Sequence, residues 1–191
     1  MEKLAGVGLL IGAVLFIIAA FTPLTYRVVL ADVQQRVEII QNERTGWIIV
    51  NILFGLGSVI VVIGLALFAQ HIQTLDTSSI VKIGGYLGVA TASLGVLFWV
   101  IIVYNRAALS PEQVASSLSI NDWIFPAYTL LTQITLIIVG FVLMQSGYPA
   151  WMGWGSLGLG VLSIAAYLIF KDMPPFAHYV PLLIMGIALV L

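Results

Sequence analysis

Long runs of apolar residues, separated by short polar stretches, dominate the pattern of this sequence. A helix needs about 20 apolar residues to cross the hydrocarbon core of a bilayer. Runs of about that length occupy residues 4–22, 47–69, 80–104, 123–145, 150–170 and 175–191. Because the runs are continuous rather than alternating, helices are favoured over the strands of a barrel. The pattern therefore predicts an all-α integral membrane bundle of six transmembrane helices in one domain, residues 1–191.

Aromatic residues at the ends of these runs support the predicted boundaries. Four of the five Trp residues stand near span ends, where an indole ring is half hydrated: Trp47, Trp123, Trp151 and Trp154. Only Trp99 lies well inside a predicted span.

The first connection, residues 23–46, has a helical pattern of its own. Four apolar residues recur at a spacing of four, four and three, which puts them on one helical face: Val29, Val33, Val37 and Ile40. We therefore expect one amphipathic helix at about 27–43. It would lie on the membrane surface or cover the end of the bundle.

The third connection contains a helix-start signal. Ser110, Pro111 and Gln113 have the spacing of a capping box with proline at the first helical position. A short helix at 111–118 is therefore predicted.

Glycines recur at helical spacing within the spans. The first span has Gly8 and Gly12, the third has Gly84 and Gly88, and the fifth is also rich in glycine: Gly153, Gly155, Gly158 and Gly160. Such faces let helix backbones approach closely. We interpret them as packing inside one bundle in preference to dimerisation.

Composition excludes several classes of function. Of the residues, 61% are hydrophobic and 8% are charged, against about 25% charged in an ordinary soluble domain. Seven cations and a net charge of −1 provide no basic patch, so nucleic acid is not an expected partner. The chain has no Cys, which excludes disulfides, thiolate nucleophiles and cysteine-ligated metals.

Catalytic signatures are also missing from the sequence. It contains neither an HExxH zinc motif nor a GxSxG nucleophile elbow. The four Asp residues are isolated, and no charged residue stands at mid-span, which speaks against metal-assisted chemistry and proton relays. We therefore expect a protein without enzyme activity, with no catalytic residues and no metal ligands.

Polar residues collect at one end of the predicted bundle. Three span ends on the same side supply them: Tyr104, Arg106, Asn121, Asp122 and His178. A charge near the membrane is unfavourable unless it is paired. We expect these residues to line a polar rim. The rim is either a salt-bridge network that fixes the loops or a binding site for a lipid headgroup or small ligand.

A polar stripe runs along the fourth span. Tyr128, Thr132 and Thr135 share a face, and Thr129 and Gln133 lie beside them. In lipid such side chains turn inward, toward hydrogen bonds between helices or toward a cavity. We expect Tyr128, Thr132 and Gln133 to line any cavity. Four residues of neighbouring spans are candidate hydrogen-bond partners of the stripe: Asn51, Ser58, Thr91 and Ser93.

The two histidines, His71 and His178, stand at opposite ends of their spans. They should lie about a membrane thickness apart, which argues against a shared metal or a bis-histidine haem. No cofactor is predicted. A singly ligated haem or chlorophyll-like pigment at His71 or His178 is the less favoured alternative.

The distribution of cations predicts an orientation. Loops one, three and five carry five cations: Arg27, Arg36, Arg44, Arg106 and Lys171. The other side carries Lys3 and Lys82. By the positive-inside rule the odd loops are cytoplasmic and both termini lie outside.

Parts of the sequence resemble a known group. The stretch from Ala31-Asp32 to Trp47, the turn Ser146-Gly147-Tyr148-Pro149-Ala150-Trp151-Met152-Gly153-Trp154, and the later Pro174-Pro175, Pro181 and Gly186 are similar to bacterial six-helix membrane proteins of unknown function. The resemblance implies a six-helix fold and a multi-pass protein of the bacterial plasma membrane. It implies no activity and no site residues.

Together these features favour a non-catalytic membrane protein. It would be an accessory or structural subunit of a membrane complex, or a binder of a lipid or lipophilic small molecule. Its partners would be membrane lipids and other membrane protein subunits. A small-solute transporter or channel is the alternative, and an enzyme acting on a lipid at the polar rim is a third hypothesis.

Overall fold

The computed structural model describes residues 1–75, 77–117, 123–170 and 175–191. These residues are helical almost throughout. The helices are α1 (Glu2–Ala20), α2 (Pro23–Leu30), α3 (Val33–Asn42), α4 (Arg44–Thr74), α5 (Ser79–Ala108), α6 (Pro111–Ser117), α7 (Ile124–Gln145), α8 (Ala150–Phe170) and α9 (Tyr179–Val190), with a short 3-10 helix (Pro175–His178) before α9.

Five of the described helices are long and apolar enough to cross a membrane: α1, α4, α5, α7 and α8. They indicate a multi-pass membrane protein and confirm the predicted all-α class. The predicted count of six spans is not confirmed. Within residues 175–191, α9 has 12 residues and is about 18 Å long, against a hydrocarbon core of about 30 Å.

The prediction of a single amphipathic helix at 27–43 is wrong. Two helices, α2 and α3, form a hairpin whose turn is made by Ala31 and Asp32. The Asp32 carboxylate accepts a hydrogen bond from the Gln35 N–H at 2.9 Å, and the Gln35 side chain accepts one from the Asp32 N–H at 3.4 Å. This capping box starts a new helix, so a local signal overrides the longer apolar periodicity.

The short helix after the third span is confirmed as α6. Ser110 Oγ accepts from the Gln113 N–H at 3.3 Å, and Gln113 Oε1 accepts from the Ser110 N–H at 3.0 Å. The helix α6 packs on α3, where Gln41 donates to Glu112 at 2.8 Å. The hairpin and α6 therefore cover one end of the bundle together.

The longer helices pack in the order α9, α1, α4, α5, α7 and α8, and α8 touches α9 only slightly. Helix α1 thus lies between α4 and α9. A Cβ atom on Gly12 would lie 2.7 Å from the Gly57 carbonyl oxygen, and one on Gly6 would lie 2.9 Å from that of Gly186. Backbone meets backbone on both sides of α1, because hydrogen atoms are all that fits there.

The same device joins α7 to α8. A Cβ on Gly140 would lie 2.7 Å from the Gly153 oxygen, and one on Gly160 would lie 2.9 Å from the Gln133 oxygen. The predicted role of these glycines in internal packing is confirmed at Gly12, Gly153 and Gly160. In contrast, no neighbouring atom lies within 4 Å of the Cβ position of Gly155.

We expect Gly12→Val to lower the Tm of the purified protein in detergent by about 5 °C or more, because a side chain would force α1 away from α4. Gly155→Val is the matched control, since the same side chain meets open space in α8. Circular dichroism during heating measures both. Equal Tm values for the two variants would contradict the packing described for α1.

Candidate functional site

Aromatic rings from several helices meet inside one end of the bundle. They form an aromatic cluster consisting of Phe16, Phe54, Trp99, Tyr128, His178 and Tyr179. Phe16 stacks on Tyr179 with ring centroids 3.7 Å apart, and Trp99 stacks on Tyr128 at 4.8 Å. Because the rings come from α1, α4, α5, α7, α9 and the 3-10 helix, the cluster joins the central elements of the fold.

Hydrogen bonds satisfy the polar atoms of three cluster rings. Tyr128 Oη and His178 Nε2 lie 2.8 Å apart. The Tyr179 hydroxyl donates to Ser58 Oγ at 2.7 Å, and Ser58 in turn donates to the Phe54 carbonyl at 2.8 Å. Buried polar groups must be paired in this way when no water reaches them.

Arg106 lies above the aromatic cluster, in the last turn of α5. Its guanidinium carbon is 5.4 Å from the ring centroid of Trp99, within the range of a cation–π contact. Its backbone carbonyl accepts a hydrogen bond from Trp47 Nε1 at 3.1 Å. The end of α5 is held further by Arg44, which donates to the carbonyls of Ala107 and Leu109.

Arg106 has no acidic partner among the described residues. The ion pairs found there join Arg27 to Glu43 and His71 to Glu2. Asp122, the acidic residue that the sequence placed at the same rim, lies outside the described residues, as does Asn121. A partly buried guanidinium without a carboxylate is a natural site for an oxyanion.

Three buried polar atoms of α4 and α5 on this side of the bundle lack a hydrogen-bond partner among the described residues. They are Arg44 Nη1, Asn51 Oδ1 and Trp99 Nε1. Asn51 lies one turn along α4 from Trp47 and donates to its carbonyl at 2.8 Å. Two donors and one acceptor are therefore unpaired, and leaving such groups dry is unfavourable by about 1–3 kcal/mol each.

The residues predicted for the polar rim separate into two groups. Arg106 and His178 are linked through two rings, because Arg106 contacts Trp99, Trp99 stacks on Tyr128, and Tyr128 contacts His178. Tyr104 is not brought to them, because 69% of its surface is exposed on the outside of the bundle. The polar rim therefore extends inward to the Trp99 ring, which was not among the predicted site residues.

The polar stripe of α7 is buried, as Tyr128, Thr132 and Gln133 show. Thr132 Oγ1 donates to the carbonyls of Tyr128 and Thr129, each at 2.9 Å. It also lines a cavity of about 20 Å³, for which Tyr128 and Gln133 are not lining residues. That volume holds about one water molecule.

Hydrogen bonding accounts for the stripe in part. Thr135 and Thr91 are joined at 2.9 Å, so the predicted partnership between α7 and α5 is confirmed there. Gln133 differs, because both polar atoms of its side chain are buried without a hydrogen-bond partner among the described residues.

The sequence analysis did not include Trp99 and the rings clustered below it among the site residues. Trp99 carried one signal, as the tryptophan that stands well inside a span. Phe16, Phe54 and Tyr179 carried none, because aromatic residues in apolar runs are ordinary and their meeting depends on how the helices are rotated.

A second polar group lies at the opposite end of the bundle. The Tyr148 hydroxyl donates to Glu2 at 3.0 Å, and His71 Nε2 lies 3.7 Å from the other oxygen of Glu2. Partial burial and the Glu2 carboxylate raise the pKa of Tyr148 above its usual value. The phenol therefore stays protonated at neutral pH and links α1 to the connection between α7 and α8. His71 thus does not approach His178.

Comparison with known proteins returns no match to a protein-family model, to a curated protein or to a solved structure. No ligand, partner or residue role is therefore transferred from another protein. The assignment of a function rests on the geometry around Arg106.

We expect Tyr128→Phe to destabilise the fold by about 1 kcal/mol, because His178 Nε2 loses its hydrogen bond in a dry interior while the ring packing is kept. Tyr104→Phe is the control, since it removes the same hydroxyl from an exposed ring. Thermal unfolding followed by Trp fluorescence measures both. A Tyr128→Phe variant as stable as Tyr104→Phe would show that the Tyr128–His178 bond adds nothing.

Proposed function

We propose that the chain is a non-catalytic membrane protein that binds the anionic head of a lipid, or of another lipophilic molecule, at Arg106. The observation that carries the proposal is the position of this guanidinium. It is partly buried at the end of a spanning helix, packed on Trp99, with no carboxylate beside it among the described residues. Guanidinium binds phosphate and carboxylate through paired N–H groups, in a fixed planar geometry.

The surroundings of Arg106 support binding because they hold it in place. Trp99 restricts the guanidinium plane, and the Trp47 indole fixes the backbone of the same residue. Arg44 holds the helix end that follows. A cation restrained in this way loses less conformational entropy when an anion binds.

The unpaired atoms nearby suggest what else the ligand contacts. Trp99 Nε1 is a donor and Asn51 Oδ1 is an acceptor, and both are buried. A phosphate or carboxylate oxygen suits the first, and a hydroxyl on the headgroup suits the second. An anionic head that also carries a hydroxyl fits this set better than a bare fatty acid.

Passage of a solute is less well supported than binding. The cavity beside Thr132 has a volume of about 20 Å³, whereas a channel or transporter needs a continuous wet path or a site for its solute. A role as subunit of a membrane complex is compatible with lipid binding. The residues that hold Arg106, Trp47 and Trp99, come from the long helices α4 and α5.

The membrane and its orientation belong to the same proposal. Arg27, Arg44 and Arg106 lie at one end of the bundle, where Arg44 contacts the end of α5. The positive-inside rule favours this end as cytoplasmic. The resemblance to bacterial six-helix proteins favours the bacterial plasma membrane, and a sixth crossing would then be made by residues 175–191.

We expect Arg106→Gln to reduce binding of phosphatidylglycerol about tenfold or more, which corresponds to about 1.4 kcal/mol. Native mass spectrometry of the delipidated full chain, titrated with phosphatidylglycerol and with phosphatidylcholine, measures the bound lipid. Lys82→Gln is the matched control, since it removes the same charge at the other end of the bundle. Arg106→Lys should bind at an intermediate level, because it keeps the charge and loses the planar fork.

Asp122→Asn separates lipid binding from a loop salt bridge. If Arg106 serves a ligand, this variant binds phosphatidylglycerol at least as well as the unchanged chain. If Arg106→Gln and Asp122→Asn both lower the Tm equally and neither changes the bound lipid, Arg106 is a structural partner of Asp122 and the proposal is rejected.

A further inference from the structure

The tip of the α2–α3 hairpin exposes an unusual amount of apolar surface. Four residues, called the hairpin tip below, are more than half exposed: Tyr26 at 64%, Val29 at 57%, Leu30 at 67% and Val33 at 57%. None of them belongs to a helix that crosses the membrane. Apolar surface of this kind on an element outside the spans marks a contact with lipid or with another protein.

The hairpin tip lies a few residues after the exposed apolar surface at the end of α1. Ile18 and Phe21, at the end of the spanning helix α1, are exposed apolar residues as well. Helix α2 begins at Pro23 and has eight residues, so it is about 12 Å long. The tip therefore stays within about that distance of the end of α1.

The outward position of the tip is fixed by hydrogen bonds. Thr25 Oγ1 donates to the Ala19 carbonyl at 2.8 Å, which ties α2 to the end of α1. Arg36 donates to the carbonyls of Val28 at 3.0 Å and Val29 at 3.1 Å, which closes the hairpin. Leu24 and Val28 are buried on the opposite side of α2. The tip is therefore presented by a restrained element, with one face on the bundle and one face outward.

Two arginines and one aspartate stand in or beside the tip. Arg27 lies between Tyr26 and Val29, Asp32 lies between Leu30 and Val33, and Arg36 follows the tip in the sequence. Arginines next to an apolar surface hold it at the level of the phosphates. Arg27 also pairs with Glu43 at 2.6 Å, and half of its side chain remains exposed.

From this continuity with α1 and from Arg27 and Arg36, we infer that the hairpin tip inserts into the headgroup–acyl boundary of the leaflet in which α1 ends. It makes the hairpin an interfacial anchor that fixes the depth of α1. This contact is separate from the Arg106 site, because it involves neither Arg106 nor the aromatic cluster.

The absence of Cys from the sequence makes a direct test possible. Leu30→Cys and Val33→Cys place single thiols on the tip, and Gln34→Cys places one on the neighbouring exposed polar residue. Each full-length variant is labelled with an environment-sensitive fluorophore and reconstituted in vesicles of phosphatidylcholine and phosphatidylglycerol. Lipids with a nitroxide high on the acyl chain quench from the membrane, and iodide quenches from water.

We expect nitroxide quenching at positions 30 and 33 to exceed that at position 34 by about twofold or more, with weaker iodide quenching there. Equal accessibility to iodide at all three positions would overturn the inference. Protection from iodide that appears only in native membranes would also overturn it, because a protein partner would then cover the tip. Two tip positions are used so that a label that disturbs one leaves the other as the test.

Discussion

The close approach of helix backbones through glycine is the constraint on which the rest of this structure depends. Helix α1 meets α4 at Gly12 and α9 at Gly6, with no room for a Cβ atom on either side. Lipid offers no hydrophobic driving force for helix association, so such contacts must supply the packing. They also fix the rotation of α1 about its axis. Phe16, one turn beyond Gly12, is thereby directed toward Tyr179, whose ring stacks on it at 3.7 Å.

The aromatic cluster converts this packing into a site. Aromatic rings are rigid, so a ring whose position is fixed by a glycine contact of its helix also fixes the ring that packs on it. Trp99 touches Phe16 and Phe54 in the interior and Arg106 at the rim. The guanidinium of Arg106 therefore rests on the Trp99 ring, whose position depends on Phe16 and Phe54 deeper in the bundle. The position of Phe16 depends in turn on the backbone contact between Gly12 and Gly57.

Sequence patterns that act within one helix, such as apolar runs and capping boxes, predicted most of the fold. Apolar runs specify that a helix exists, and five spanning helices were found where runs were found. The capping box at Ser110 is local and predicted α6 correctly. The capping box at Asp32 is equally local, but the apolar periodicity from Val29 to Ile40 predicts one helix where the structure has two. The sixth run is apolar apart from His178, and the 3-10 helix that ends at that residue leaves α9 with 12 residues.

The candidate site shows the corresponding limit at longer range. Arg106 and His178 were assigned to one end of the bundle because the order of spans fixes which end a residue occupies. Tyr104, two residues from Arg106, points away from that site, and span order contains no information on such rotation. Glycine positions do contain it, since the face that bears Gly12 must meet another backbone. Pairing of glycine faces between spans would have rotated α1 toward α4 and brought Phe16 to the centre.

The unpaired polar atoms give a second reason, besides the position of Arg106, to look for a ligand at this end of the bundle. In a dry interior, replacing Asn51 or Trp99 by apolar residues of similar size removes an unsatisfied group and is neutral or stabilising. Their presence is therefore not explained by packing alone. The other polar atoms of the cluster are paired, which shows that the local geometry can satisfy such groups. Asn51 Oδ1 and Trp99 Nε1 remain unpaired among the described residues. The headgroup proposed at Arg106 would supply an oxygen for Trp99 Nε1 and a hydroxyl for Asn51 Oδ1, which the described residues do not.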